Sequence, residues 1–176
     1  QHLLYLGIGS SAGIKDVGGM KDIEAIRAYT AKVEHNRIIA DMAIHAEYTS
    51  DVALVKDVAA YAKENNMGMH IHLSETQKEQ EECKSRRGAT PAEYFEQYGV
   101  FKVPTTAAHC VWLDDCDFEI LARNGVTVAH CPSSNLKLGS GIAPVQKMIE
   151  HGINVTIGTD GASSNNNLNM LEEISL

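Results

Sequence analysis

The sequence predicts an α/β fold on a parallel sheet, and three observations predict it. Short aliphatic runs alternate with amphipathic stretches along the chain. The runs are mostly continuous and seldom alternate with polar residues, as strands covered on both faces require. Cap and turn residues separate them at intervals that fit strand–helix–strand crossovers.

Strands are expected at 3–8, 38–44, 67–73, 105–108, 126–129 and 154–158. The stretch 22–33 carries Ile23, Ile26 and Tyr29 at helical spacing. In 51–65, Val55, Val58, Ala59 and Ala62 form an i, i+3, i+4, i+7 stripe, with Ser50 as the expected N-cap. Thr90-Pro91-Ala92-Glu93 is a capping-box pattern with proline in the first turn, and Gly99 stops that helix. Asp114 or Asp115 starts a helix that ends at Asn124-Gly125. Pro144 starts another, which ends at His151-Gly152.

Composition narrows the function. Of 176 residues, 44% are hydrophobic and 22% charged, which excludes a disordered or collagen-like chain. No apolar run approaches the roughly 18 residues of a membrane span, and no basic stretch opens the N-terminus as in a signal peptide. A cytoplasmic protein with no membrane partner is the expectation. A net charge of −8 argues against a nucleic-acid partner, whose binding surface would be basic. Cys83, Cys110, Cys116 and Cys131 form no CxxC pair, so buried, reduced thiols are expected.

The histidines carry the chemical signal. His45, His72, His109 and His130, and then Asp160, each fall at the C-terminal end of a strand-like run. Their spacings of 27, 37, 21 and 30 residues correspond to about one βα unit each. In a (β/α)8 barrel such ends converge on one face, where active sites are built. Imidazoles with a carboxylate suit Zn2+ or Fe2+. His70 and His72 point to the same side of one strand, but His70 lies about 6.6 Å lower. Glu75 follows His72 closely enough to shuttle a proton at the same site. His2, His35 and His151 read as surface or helix-end residues. Ser133, Ser134 and Ser163 lack the GxSxG elbow of a serine nucleophile.

The segments IHAEYTSD (44–51), HIHLSET (70–76), AAHC (107–110) and AHCPSSNLKLGSGIAPVQKMIEHGINVTIGTDGASSNNNLNMLEEI (129–174) resemble the amidohydrolase superfamily. Within it they are most similar to methylthioadenosine/adenosylhomocysteine deaminases and their chlorohydrolase-like relatives. The resemblance implies a metal-dependent hydrolase barrel and one divalent metal, Zn2+ before Fe2+. It implies a small-molecule substrate, an adenosine-type nucleoside that loses ammonia. Guanine, cytosine or s-triazine deamination, or dechlorination, is the alternative on the same site.

By the same resemblance His72 and Asp160 are metal ligands, and His109 lies beside the metal and its water. Asp160 takes the water's proton and Glu75 passes a proton to the substrate ring. His45, Glu75, His130, Ser134, Asn135 and Asp160 contact or shape the substrate pocket, and His70 lies in the barrel interior.

Two further ligands, an HxH pair on the first strand, and a small β-sandwich are also implied, and neither is in this sequence. Residues 1–176 are therefore expected to be strands 3–8 of a partial barrel catalytic domain. Alone, they are expected to hold metal partially or not at all and to be inactive. Open strand edges would also invite association with a second copy.

Overall fold

The computed structural model describes residues 41–176. The expected strand at 3–8, the expected helix at 22–33 and the start of the second strand lie outside them. Five parallel strands follow in sequence order: β1 (Met42–Ile44), β2 (Met69–Leu73), β3 (Thr105–His109), β4 (Thr127–His130) and β5 (Asn154–Ile157). Each pairs with the next in parallel register. This is an arc of a (β/α)8 barrel. Among the described residues β1 and β5 are its edges.

The two faces of the sheet differ in chemistry. Met42, Ile44, Met69, Ile71, Leu73, Ala107 and Val128 join the hydrophobic core beneath the helices. The alternate residues of β2 are His70 and His72. Through the register they share their face with Ala43, Thr106, Ala108, Thr127 and Ala129. Small and polar side chains on that face leave room for a site above them.

The crossovers follow the chain's own signals. Helix α1 (Val52–Glu64) buries Val55, Val58, Ala59 and Ala62, the four residues of the apolar stripe. Its N-cap is Asp51 and not Ser50: Asp51 Oδ1 accepts the Leu54 N–H at 2.8 Å. The Ser50 hydroxyl is buried without a hydrogen-bond partner.

Helix α2 (Gln77–Arg87) has only Cys83 as a buried apolar residue, so it shows no apolar periodicity. Helix α3 (Pro91–Gln97) starts with the expected capping box of Thr90 and Glu93. Helix α4 (Asp115–Arg123) is capped by Asp114, which forms a second box with Asp117. Three short helices follow: α5 (Pro132–Lys137), α6 (Val145–Glu150) and α7 (Met170–Ser175). Pro144 is the residue before α6 and not its first turn.

One buried carboxylate ties three helices together. Asp117, fully buried, accepts from Thr90 Oγ1 at 2.5 Å, from Gln80 Nε2 at 2.8 Å and from the Asp114 N–H at 2.8 Å. All four cysteines are free thiols. Cys83, Cys110 and Cys131 are buried as expected. Cys116 is exposed, because it lies in the first turn of α4 away from the core. No helix among the described residues is long and apolar enough to cross a membrane.

The capping assignment is testable by urea unfolding. Asp51→Ala should cost about 1 kcal/mol. Ser50→Ala removes an unpaired buried hydroxyl and should leave stability unchanged or raised. The opposite ranking would contradict the assignment.

Candidate active site

The strand ends meet at one end of the sheet, and the backbone there is unusual. Ser74, His109, Cys110 and Asp160 all have positive φ, at 48°, 72°, 50° and 58°. Non-glycine residues rarely adopt this region, and such residues cluster at functional sites. At His109 the consequence is direct. The register pairs His72 with Ala108, so strict alternation would send His109 to the opposite face. The left-handed turn breaks that alternation. The His109 ring lies stacked at 5.5 Å from the His72 ring, and the His45 ring is 5.0 Å beyond His72.

His72, His109 and Asp160 each present one donor atom, and the three atoms lie within 4.8 Å of one another. Their neighbours fix what these atoms can do. His72 Nδ1 lies 2.7 Å from the His45 carbonyl, which can only accept, so Nδ1 carries the proton. His109 Nδ1 donates to Asn135 Oδ1 at 2.8 Å. Both Nε2 atoms keep their lone pairs free, as a metal-ligating imidazole requires. Asp160 Oδ2 accepts from Ser134 Oγ at 2.6 Å and Ser164 Oγ at 2.7 Å. Burial alone would raise the Asp160 pKa; the two hydroxyls, with the Gly161 N–H and His109, together hold the carboxyl below its ordinary value. The donor set of two imidazoles and one ionised carboxylate fits Zn2+ or a similar divalent metal.

Glu75 completes the cluster. Its Oε2 lies 3.8 Å from His109 Nε2, and Asp160 Oδ2 lies 4.0 Å from the same nitrogen. Its Oε1 accepts from Ser140 Oγ at 3.1 Å.

The other expected residues sit around this cluster in different ways. His45 is exposed, with Nδ1 3.0 Å from Thr49 Oγ1. Burial, then the charge of His72, lower its pKa against the opposing pull of Glu75. Ser134 and Asn135 are at most 1% exposed, and their side chains hold Asp160 and His109 from behind. They thus back the clustered donors directly. His130 ends β4 with ordinary strand backbone, and its Nδ1 is buried without a hydrogen-bond partner. Burial lowers its pKa. His70 lies on the same face as His72, one step lower, as expected.

Several supporting residues carry little signal of their own in the sequence. Ser164 and Ser140 lie in loops without periodicity. Glu173 of α7 accepts from the Ser133 N–H at 3.0 Å and from Asn165 Nδ2 at 2.5 Å. It thereby ties α7 to the start of α5. Glu79 is the exception, because Thr76-Gln77-Lys78-Glu79 reads as a capping box. Thr76 does cap α2 by accepting the Glu79 N–H at 3.1 Å. The Glu79 carboxylate instead reaches two earlier N–H groups, those of Ser74 and Glu75.

Burial pushes the Glu79 carboxyl from 4.5 up to about 7, against the pull of those two N–H groups. A folded-state pKa above the unfolded one favours the fold below pH 4.5 and loses that favour as pH rises through 7. Wild type should therefore lose up to roughly 3 kcal/mol relative to Glu79→Gln between those limits. Denaturant melts of both proteins at pH 5 and pH 8 check this, and a constant difference would contradict it.

The profile of the Amidohydrolase family matches residues 4–176. A 5-methylthioadenosine/S-adenosylhomocysteine deaminase of Desulforudis audaxviator is 53% identical over 78% of this chain and 32% of its own length. A 5'-deoxyadenosine deaminase of Methanothermobacter thermautotrophicus is 47% identical over 79% of this chain and 33% of its own. The chain thus spans about a third of the curated relatives it matches.

Among solved structures, an adenosine deaminase from Xanthomonas campestris with bound zinc is 29% identical. It has a TM-score of 0.83 and covers 97% of this chain and 39% of that one. A guanine deaminase from C. acetobutylicum with bound guanine has a TM-score of 0.87 at 26% identity, over 97% of this chain and 43% of that one. With a match over nearly its full length, the chain belongs to the amidohydrolase family.

Proposed function

We propose that this chain carries the reacting end of a metal-dependent hydrolase that deaminates adenosine-type nucleosides. One observation carries the reading. Two carboxylates, Glu75 and Asp160, flank His109 Nε2 at 3.8 and 4.0 Å beside a three-donor metal cluster. Such a pair divides acid and base work between two sides of one reaction centre.

His72 and Asp160 would hold the metal, with His109 beside it. When bound, a divalent metal lowers the pKa of water from about 15.7 towards 7. Asp160 is kept ionised by Ser134 and Ser164, so it is ready to accept the proton of the attacking water. His109, with its Nδ1 proton committed to Asn135, offers Nε2 to that water and holds it in place. Glu75 delivers a proton to the ring nitrogen, and the proton taken up by Asp160 passes to the amine, which leaves as ammonia. His45 stands at the exposed rim beside His72, where a hydroxyl or ring nitrogen of substrate can reach it.

The adenosine class is favoured because the relatives at 47% and 53% identity are named 5'-deoxyadenosine and methylthioadenosine/adenosylhomocysteine deaminases. The guanine deaminase is less similar in sequence, at 26%. Guanine, cytosine and triazine substrates therefore rank second.

Ammonia release from the full-length, Zn2+-loaded protein tests the reading. Turnover is expected with adenosine, 5'-deoxyadenosine, methylthioadenosine or adenosylhomocysteine, and should exceed that with guanine or cytosine. Faster turnover of guanine or cytosine would overturn the substrate class. Asp160→Asn and Glu75→Gln should each lower kcat by about 10²–10⁴-fold. Near-normal kcat in either would remove that residue from its role. A chelator should abolish turnover and added Zn2+ restore it.

A further inference from the structure

The Glu75 side chain is poorly anchored for a proton donor. Its one hydrogen bond to a side chain is the 3.1 Å contact with Ser140 Oγ, and its carboxylate is partly open to solvent. Its main chain is held far more firmly. The Ser74 N–H donates to Glu79 Oε1 at 3.0 Å and the Glu75 N–H to Glu79 Oε2 at 2.8 Å. One carboxylate thus grips two consecutive peptide groups, with Ser74 in the left-handed region between strand and helix.

The other side of the same peptide is bound as well. The Ser74 carbonyl accepts the N–H groups of Val111 and Trp112 at 3.0 and 2.9 Å. Ser74 Oγ donates to Gln80 Oε1 at 2.8 Å, and Gln80 is itself tied to Asp117.

A buried carboxylate is an expensive way to close a turn. Glu79 is only 6% exposed, has no basic partner among its hydrogen bonds, and is repelled by the charges of Glu47 and Glu75. Desolvating a charge is costly unless it is fully bonded. Both of its oxygens are spent on the two N–H groups that fix the direction of Glu75.

We propose that Glu79 is a positioning residue that aims Glu75 at the reacting centre by clamping the Ser74 and Glu75 peptides. This rests on the reading of Glu75 as the proton donor. Displacement of a reacting group by about 1 Å can cost about 100-fold in rate. Removing the clamp should therefore act on kcat through Glu75, with little effect on metal content or KM.

A double-mutant cycle in the full-length, Zn2+-loaded protein tests it, with ammonia release from the best nucleoside as readout. Glu79→Ala should lower kcat about 100-fold with KM within a few-fold of wild type. Glu79→Gln keeps one acceptor and should lose less. In a Glu75→Gln background, Glu79→Ala should cause no further loss, because the group it aims is already gone. Equal losses in both backgrounds would overturn the proposal, as would a wild-type kcat in Glu79→Gln. If Glu79→Ala does not fold, as judged by its circular dichroism melt, the same cycle run with Glu79→Gln decides. A wild-type protein that releases no ammonia would instead overturn the deaminase reading itself. A normal parent rate with additive losses overturns only the role of Glu79.

Discussion

The site depends on one constraint: parallel strands that end level with one another. The His72 N–H donates to the His45 carbonyl at 3.1 Å just past the end of β1, and the register pairs Leu73 with His109. Each strand therefore delivers its last residues to the same end of the sheet. Level ends alone would not assemble the cluster, since the pleat turns successive side chains to opposite faces. The positive φ at His109 breaks the alternation there, and Asp160 also has a left-handed backbone. Regular strand pairing brings the chain to the right place, and departures from it turn the donors inward.

Around the donors lies a second layer whose work is orientation. Asn135 Oδ1 accepts a hydrogen bond from His109 Nδ1, and the His45 carbonyl accepts one from His72 Nδ1. Ser134 and Ser164 occupy one oxygen of Asp160. These contacts decide which atom of each donor remains available, a matter the ligands cannot settle alone. Helix α2 belongs to the same layer. Its start is fixed through Thr76 and Glu79 to the Glu75 turn. Its end is fixed to the loop after His45, where the buried Glu47 pairs with Arg86 and Arg87. Arg87 also lies over the Tyr94 ring, 4.1 Å from its centroid. One polar helix thus braces two loops that border the site.

How much of this could be read beforehand follows from which forces leave a pattern in sequence. The strands 69–73, 105–109 and 127–130 were legible because burial between two layers demands unbroken apolar runs. Helix α1 was legible from its stripe, and α3 from its capping box. Helix α2 was not, because its residues QKEQEECKSRR are held by ion pairs and hydrogen bonds that have no period. Ser50 was mistaken for a cap because serine and aspartate cap equally well, and only three-dimensional geometry chooses between neighbours.

The three clustered donors, His72, His109 and Asp160, were legible as residues that end successive strand-like runs, about one per βα unit. The contacts of Ser134 with Asp160 and of Asn135 with His109 were not, since chemistry at a strand end does not say which neighbour a side chain will bond. Ser164 lay hidden for the same reason, in a loop whose contacts run to Asp160.

One claim underlies the rest, that His72 and Asp160, with His109 beside them, form a single divalent-metal site. Titrating the full-length protein with Co2+ and following the visible absorption of the bound ion tests it most directly, with Zn2+ as competitor. The account predicts a signal that saturates at one equivalent, disappears when Zn2+ is added, and weakens sharply in His72→Ala and Asp160→Asn. A signal unchanged by either substitution would contradict it.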